Sequence, residues 1–430
     1  MKRLAALLLA FAAMPASAQT APALRTDYVS FGAHDEGLIY QPTGARSRIA
    51  LVYAHPSGNT FDTAVGREMA RRGYATMMVN HRDEDERLDA FAGAISEAIR
   101  HMRALPGIER VVLIGHSGGG PLAAFYQNVA EHGPGACSGP EKLYPCRTDL
   151  VKDLAPADGV VLLDPTLGAF HQMSSIDPAG GSDTRDASLD MFAPANGYDD
   201  ASGRAAYPAE FRRRFAAGQA RRSDALIAQA QERLRVIEAG QGQFEDDEPF
   251  VIRGIGHHAA GARLYQPDTS MLSHTRAPHL LLRADGSDSE GVIASVRAPG
   301  GKATRDGLRT MELMGNNTSV RIFLATAAIR TKDFAIGEDD ITGVDWSSAF
   351  SSAPGNAPGI TVPSLVLTMS CHYLLVPGEL IFDRLGSRDK SYAAVEGATH
   401  LFGPCRPEYG DTVKRTFDHV ALWLTKPGRF

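Results

Sequence analysis

The sequence has few features that would direct a protein to a membrane, to nucleic acid or to a metal ion. Among 430 residues, 50 acidic side chains outnumber 44 lysines and arginines, and the lack of a basic patch argues against a nucleic-acid partner. Beyond the N-terminal leader, no apolar run approaches the length of a transmembrane helix. The spacings C-x-x-C, H-x-x-x-H and H-E-x-x-H are absent, and the adjacent His257 and His258 would point to opposite sides of an extended chain. We therefore predict no metal site.

The N-terminus has the three parts of a secretory signal peptide. Two basic residues at positions 2 and 3 precede an apolar stretch over 4–13 and an A-x-A pattern that ends at Ala18. We predict cleavage near Ala18-Gln19, so that residues 1–18 are removed and the protein is exported, either to a periplasm or out of the cell. The mature chain then carries 42 basic and 50 acidic side chains, a net charge of −8.

Cysteine is scarce, and its use fits an exported protein. The four cysteines form an even number, which favours disulfides in an oxidising compartment. Cys137 and Cys146 are close in sequence and would staple one loop, which leaves Cys371 to pair with Cys405. The alternative is four free, buried thiols, which would suit a cytosolic protein better.

Strand and helix signals alternate through the first third of the chain. An antiparallel hairpin at 28–31 and 38–41 comes first. The expected order is then strand, helix, strand, helix, strand, helix, at 49–53, 62–72, 75–79, 88–102, 111–114 and 121–131. This rhythm is typical of a mostly parallel, doubly wound α/β sheet, whose central strands are continuous apolar runs because both of their faces are covered.

The rhythm breaks after a strand at 160–163 and resumes near the end of the chain. A strand at 364–369, a helix at 380–385, a strand at 392–395 and a closing helix at 407–424 complete the core. We therefore predict a core of residues 24–165 and 356–430, interrupted by an inserted cap at 166–355 that contains a long helix or a helix pair at 209–239. A chain of this length also allows two separate domains.

The stretch that organises the chain is Gly115-His116-Ser117-Gly118-Gly119, which has the pattern G-x-S-x-G. Its position between a buried strand and a helix is that of a nucleophile elbow. The turn would be so tight that only hydrogen fits at Gly115 and Gly119, and it would lift the Ser117 hydroxyl above the sheet edge. The helix that follows points its N-terminus at a developing oxyanion. In a chain with 43 glycines, the alternative is a chance turn with a bystander serine.

A serine hydroxyl needs a base to take its proton, and His400 is the candidate. It directly follows the last strand, so it should reach the sheet edge where Ser117 lies, and the order of serine before histidine fits such a site. The alternative is a structural histidine, one of the 14 in the chain.

The residues 115–119 with their surroundings resemble the elbow of the α/β-hydrolase superfamily, and 395–400 resembles its histidine loop. The resemblance covers about the first third and the last fifth of the chain. It implies the α/β-hydrolase fold, a serine nucleophile, an acyl-enzyme intermediate and no organic cofactor. Exported members with a cap are often carboxylesterases or lipases.

The acid of the triad is where this chain departs from the family. In most members it follows the strand that is here 364–369, but 370–374 contains no aspartate or glutamate. Asp164, which ends the preceding strand, resembles the acid of some lipase-like members, and Glu379 lies just beyond the usual place. We favour Asp164, because a strand end holds a carboxylate rigidly, although it could equally cap the turn before Pro165. A Cys371–Cys405 bridge would occupy the usual acid's space.

Two backbone N–H groups should bind the oxyanion in a protein of this kind. Gly118, after the nucleophile, would donate one. The family often has His-Gly in the loop after the 49–53 strand, whereas this chain has His55-Pro56, and proline has no N–H. Ser57 is therefore the expected second donor, with Gly58 in reserve, and His55 would organise the loop.

The resemblance thus implies an exported serine hydrolase that cleaves a carboxylic ester, thioester or lactone. The partner would be a small-molecule or polymer-derived ester, chosen by the cap. Two alternatives stay open: a peptidase or amidase with the same triad, and a binding protein on the same fold that has no activity. The sequence gives no oligomeric state.

Overall fold

The computed structural model describes residues 24–42, 44–56, 59–82, 87–180, 185–253, 261–314 and 316–430. The expected leader at 1–18 lies outside these residues. The strands are β1 Thr26–Ser30, β2 Asp35–Tyr40, β3 Ile49–Ala54, β4 Thr76–His81, β5 Arg110–His116, β6 Gly159–Leu163, β7 Tyr198–Asp199, β8 Arg204–Ala205, β9 Pro249–Ile252, β10 His279–Leu282, β11 Asp288–Gly291, β12 Asn316–Ser319, β13 Arg330–Ile336, β14 Ile341–Asp345, β15 Ser364–Met369 and β16 Lys390–Val395.

The α-helices alternate with the strands in both parts of the expected core. They are α1 Ala64–Arg71, α2 Ala92–Ala104, α3 Gly119–His132, α4 Gly135–Ser138, α5 Ala169–Met173, α6 Ala209–Glu238, α7 Gly301–Met314, α8 Val320–Thr326, α9 Ala353–Asn356, α10 Leu375–Arg384 and α11 Thr412–Leu424. None of the helices in the described residues is long and apolar enough to cross a bilayer.

Ten strands form one central sheet in the order β1-β2-β4-β3-β5-β6-β15-β16-β10-β11. The seven inner strands of this order, β4, β3, β5, β6, β15, β16 and β10, run parallel to one another, whereas β1, β2 and β11 pair antiparallel at the two edges. The predicted opening hairpin and the mostly parallel, doubly wound sheet are confirmed. The expected helix at 380–385 begins earlier, at Leu375, because Pro377 is tolerated in the first turn, where its missing N–H has no partner to lose.

The sheet is covered on both faces, and β5 shows how the sequence achieves this. Successive side chains of a strand point to opposite faces, so Val111 and Leu113 enter one apolar layer while Val112 and Ile114 enter the other. The first layer contains the buried faces of α2 and α3, and the second those of α1 and α11. Each such side chain, fully buried, stabilises the fold by about 1.5–3 kcal/mol.

Part of the segment expected as a cap belongs to the central sheet. Within 166–355, β10 pairs parallel with β16, with Leu280 opposite Ala393, and β11 extends the edge as a hairpin partner. The sequence did not indicate this, because a four-residue apolar run has no periodicity that separates strand from helix. The limits 24–165, 166–355 and 356–430 stay predictions.

The rest of that segment is built around α6. The structure has one continuous helix here, where a long helix or a helix pair was expected. Its buried side chains pack towards β13 and α8, and the exposed arginines lie on the other side. In the described residues, three further antiparallel pairs lie outside the central sheet: β7 with β8, β9 with β12, and β13 with β14.

Both disulfides form in the expected pairing. The bond between Cys137 and Cys146 closes the loop that follows α3. The bond between Cys371 and Cys405 joins the loop after β15 to the loop after β16. The second bond is reinforced by an isolated β-bridge between Ala398 and Pro404. The two loops at the carboxyl ends of β15 and β16 are therefore covalently held together.

The two bonds should differ in their effect on stability. Replacing Cys371 and Cys405 by alanine opens a loop of 34 residues and should lower the free energy of unfolding by about 4 kcal/mol, because loop-closure entropy grows with loop length. The matched double variant of Cys137 and Cys146 opens a loop of 9 residues and should cost about 3 kcal/mol. Urea denaturation measures both, and the reverse ranking would contradict this account.

Candidate active site

Ser117 lies on a sharp turn between β5 and α3. Its φ of 55° is in the left-handed region that residues with a side chain rarely adopt. Three backbone hydrogen bonds hold it there: its N–H donates to Leu163 O at 3.1 Å, and its carbonyl accepts from Gly120 N and from Thr166 N, each at 3.0 Å. Strained backbone of this kind persists only where surrounding contacts impose it, and it often marks a functional residue.

The glycines of the motif are required by close approach, as predicted. A Cβ on Gly115 would lie 2.1 Å from the carbonyl oxygen of Gly119. A Cβ on Gly119 would lie 2.4 Å from the carbonyl oxygen of Ala54, on the neighbouring strand. Only hydrogen fits at these two positions, and the turn could not be this tight with any other residue.

The structure brings together the serine, the histidine and the preferred acid. His400 Nε2 lies 2.8 Å from Ser117 Oγ, and His400 Nδ1 lies 2.6 Å from Asp164 Oδ2. One tautomer satisfies both contacts: Nδ1–H donates to the carboxylate, and Nε2 accepts from the hydroxyl. This arrangement can move a proton from the serine to the imidazole and stabilise the imidazolium that results.

Asp164 is fully buried at the carboxyl end of β6. Its Oδ1 accepts from Met369 N at 3.1 Å, and its Oδ2 accepts from the Nδ1 atoms of both His400 and His372. Burial opposes ionisation, but the nearby imidazoles outweigh it and hold the pKa of Asp164 well below its usual range. The carboxylate is therefore charged at neutral pH and is held by three donors.

Glu379, the alternative acid, has other partners. It lies in α10 and accepts from the backbone N–H groups of Arg276 and Ala277 and from His279 Nε2, each at 2.8 Å. Burial opposes its ionisation, yet these donors lower the pKa of the Glu379 carboxyl. Glu379 therefore ties the segment before β10 to α10, and the structure does not bring it to His400.

Two histidines that sequence reasoning did not assign to the site lie against His400. The first is His116, whose Nε2 lies 2.8 Å from the carbonyl oxygen of His400 and whose ring packs on the rings of His400 and Phe402, with 4.7 Å between centroids in each case. Burial lowers the pKa of His116 to about 3. It is therefore a neutral donor that holds the backbone of His400. Its place next to Ser117 in the motif was the available signal.

The second is His372, whose Nδ1 lies 2.7 Å from Asp164 Oδ2 and whose ring centroid is 4.5 Å from that of His400. Burial lowers the pKa of His372. The signal in the sequence was a polar residue at the position where most of the family has its acid.

The remaining site predictions concern the oxyanion donors and the adjacent histidines His257 and His258. Gly118 caps the N-terminus of α3 and lies beside His55, since a Cβ on Gly118 would be 3.4 Å from His55 Nε2. Ser57 and Gly58 lie outside the described residues, as do His257 and His258. The role of Ser57 therefore stays a prediction.

The described residues contain one group of three side chains with metal-ligating atoms close together: Asp164, His372 and His400, within 4.8 Å of one another. Both imidazole nitrogens approach the same carboxylate oxygen at 2.6–2.7 Å. That is the length of a charge-assisted hydrogen bond, whereas ligands about 2 Å from a shared zinc ion would be spread farther apart. The geometry is therefore that of a hydrogen-bonded trio.

The burial of His116 predicts that stability depends on pH. With a pKa of about 3 in the folded state and about 6.5 when unfolded, the unfolded chain binds a proton between these values that the folded chain does not. The contribution of His116 to stability is complete above about pH 6.5 and falls by about 1.4 kcal/mol per pH unit below it. Urea denaturation between about pH 7 and pH 5 measures this slope.

A variant with glutamine at position 116 tests whether His116 causes this pH dependence of stability. His116→Gln keeps an N–H donor near the place of Nε2 but has no titrating group, so its stability should fall less steeply with decreasing pH. His34→Gln, at an exposed histidine, should leave the slope as in the wild type. Equal slopes for the wild type and His116→Gln would show that His116 does not account for the pH dependence.

Comparison with known proteins shows similarity in structure at low sequence identity. No protein-family model matches the chain, and neither does any curated protein. Among solved structures, the α/β hydrolase GrgF from Penicillium sp. sh18 is 10% identical, with 93% of this chain and 98% of that chain covered and a TM-score of 0.44. Est1E from Butyrivibrio proteoclasticus is 10% identical, with 93% and 99% covered and a TM-score of 0.38.

A third solved structure is that of brefeldin A esterase, a bacterial homologue of human hormone sensitive lipase. It is 14% identical, with 96% of this chain and 79% of that chain covered and a TM-score of 0.40. The fold is assigned from the topology of the chain itself: a mostly parallel sheet, a G-x-S-x-G turn from strand to helix, and the order serine, aspartate, histidine along the chain. The chain therefore has the α/β-hydrolase fold.

Proposed function

We propose that the protein is an exported serine hydrolase that cleaves carboxylic esters, thioesters or lactones through an acyl-enzyme intermediate. The observation that carries the proposal is the unbroken hydrogen-bond path from Ser117 Oγ through His400 to the buried Asp164 carboxylate. Nucleophile, base and orienting acid lie at hydrogen-bond distances without any rearrangement. The two disulfides suit an oxidising compartment, in agreement with the expected leader at 1–18.

The reaction follows from the positions of these three side chains. Ser117 Oγ attacks the carbonyl carbon while His400 Nε2 takes its proton. The bond to the leaving oxygen then breaks, His400 gives that oxygen the proton, and the acyl group stays on Ser117. Water next attacks the acyl carbon and loses a proton to His400, which returns it to Ser117 Oγ as the acid leaves.

Asp164 contributes by keeping its charge at a position where the carboxylate is shielded from water. It orients the ring so that Nε2 faces the serine, and it stabilises the imidazolium, because a charge interacts more strongly in a medium of low dielectric constant. The tetrahedral oxyanion would accept hydrogen bonds from Gly118 N–H and, in this proposal, from Ser57 N–H. One such donor contributes about 10²–10³-fold to the rate.

A peptidase or amidase would use the same groups, and a binding protein would use none of them. The geometry at Ser117 favours a catalyst over a binding protein, since a strained φ and a base at 2.8 Å serve no purpose in binding alone. The substrate proposed is a small-molecule or polymer-derived ester, and an acyl amide is the second candidate.

Activity assays distinguish these three functions. We expect turnover of p-nitrophenyl acyl esters of varied acyl length, little turnover of aminopeptide anilides, and covalent labelling by a fluorophosphonate probe. Ser117→Ala should abolish both turnover and labelling, because it removes the hydroxyl that would attack the substrate and the probe. Anilide turnover above ester turnover would favour the amidase, and an unlabelled, inactive wild-type protein would mean that the fold serves binding.

The identity of the acid is tested by a matched pair of variants. Asp164→Asn should lower kcat on the order of 10⁴-fold, because an amide favours the wrong tautomer of His400 and supplies no charge. Glu379→Gln removes an equally buried carboxylate that lies among other partners. It should lower the melting temperature and leave kcat within a few-fold of the wild type. A collapse of kcat only in Glu379→Gln would make Asp164 the wrong acid.

A further inference from the structure

The carboxylate of Asp164 is shared between two histidines, although a serine hydrolase needs only one. His372 follows β15, in the place where the acid is absent from this chain. Its Nδ1 lies 2.7 Å from Asp164 Oδ2, the oxygen that also receives His400 Nδ1 at 2.6 Å. The two rings are 4.5 Å apart and inclined by 32°, so they approach the oxygen side by side.

We propose that His372 is a positioning residue for the reaction: its Nδ1–H holds the Asp164 carboxylate in place and takes part of the negative charge that would otherwise act on His400 alone. This inference rests on the proposed function, since it concerns how the same serine, histidine and aspartate work. His372 does not contact Ser117 Oγ in the hydrogen bonds of the described residues, so its effect passes through Asp164.

The surroundings of His372 hold it in this orientation. The Ser295 hydroxyl donates to the backbone carbonyl of His372 at 3.2 Å. The ring of the next residue, Tyr373, packs on the His372 ring, with 4.2 Å between the ring centroids. The Cys371–Cys405 bond anchors the neighbouring residue to the loop that carries His400. The imidazole is thus held from both sides along the chain.

The charges around His372 decide what its hydrogen bond does. Asp164 faces it from the end of β6, His400 from the loop after β16, and Arg297 from the segment after β11; the Tyr373 hydroxyl belongs to its own loop. Asp164 favours a proton on the imidazole, whereas Arg297 and His400 oppose a second positive charge, and burial opposes it most. His372 is therefore a neutral donor at the pH of the reaction.

Sharing one carboxylate has a consequence that can be measured. A neutral donor on Oδ2 weakens the attraction between Asp164 and the protonated form of His400. Removing that donor should make His400 easier to protonate. The acidic limb of the pH profile of kcat/KM, which is the fall in kcat/KM as the pH decreases, should therefore move to higher pH. A residue with a purely structural role would lower stability without moving this limb.

Two variants separate the donor from the ring. His372→Phe keeps a ring against Tyr373 and His400 but removes the donor; we expect kcat to fall roughly tenfold with KM within twofold, because Asp164 is less well placed. The midpoint of the acidic limb should move to a higher pH, by about half a pH unit or more. His372→Asn places an amide N–H close to the position of Nδ1, and it should recover most of kcat and the wild-type limb.

A matched control is a second histidine that contacts a buried carboxylate, His279 on Glu379 at 2.8 Å. His279→Phe should lower the melting temperature and leave kcat and the acidic limb unchanged. Proton NMR of the wild-type protein gives a readout without activity: two downfield imidazole N–H signals are expected from the Asp164 trio, one of which disappears in His372→Asn.

These experiments distinguish a failure of the positioning role of His372 from a failure of the proposed hydrolase function. If the wild type hydrolyses esters and labels at Ser117 but His372→Phe keeps the wild-type kcat and limb, the positioning role is wrong. It is also wrong if His372→Phe and His372→Asn lose activity alike with the limb unmoved, or if the wild type shows one downfield signal where two are expected. A wild type without turnover or labelling would overturn the function and not the hydrogen bonds seen by NMR.

Discussion

The structure of the site depends on one buried negative charge. Placing the Asp164 carboxylate where it is fully shielded from water would cost several kcal/mol if it were unpaired. Three N–H groups offset that cost: Met369 on one oxygen, and His372 and His400 on the other. The same contacts orient His400 towards Ser117, so the charge that must be stabilised in the fold also organises the proposed chemistry.

The parallel sheet brings these groups to one edge. β5, β6, β15 and β16 are adjacent and parallel, so the residues that follow them meet at their carboxyl ends. Ser117, Asp164, His372 and His400 follow these four strands in that order. The Cys371–Cys405 bond then fixes the last two loops to each other, which reduces the freedom of the two histidines that share the carboxylate.

The sequence is most informative where its pattern is local. The elbow was visible because G-x-S-x-G lies between an apolar strand and a helix, and the placement of His400 followed from the last strand. Asp164 was one of two candidates, and the partners of Glu379 at Arg276, Ala277 and His279 could not be read from spacing, since they lie about 100 residues away in sequence. The membership of β10 in the central sheet was missed as well, because its four-residue apolar run has no periodicity that marks it as a strand and its partner β16 is distant in sequence.

By itself, the sequence determined the elements that depend on neighbouring residues: the alternation of strands and helices, the glycines that a tight turn requires, and the place of the serine that we propose as the nucleophile. Only the tertiary structure decided which side chains share a hydrogen bond. The second histidine on Asp164 and the donation from His116 to the His400 carbonyl both join residues more than 200 positions apart. Such contacts depend on strand order and register, and no local spacing encodes either.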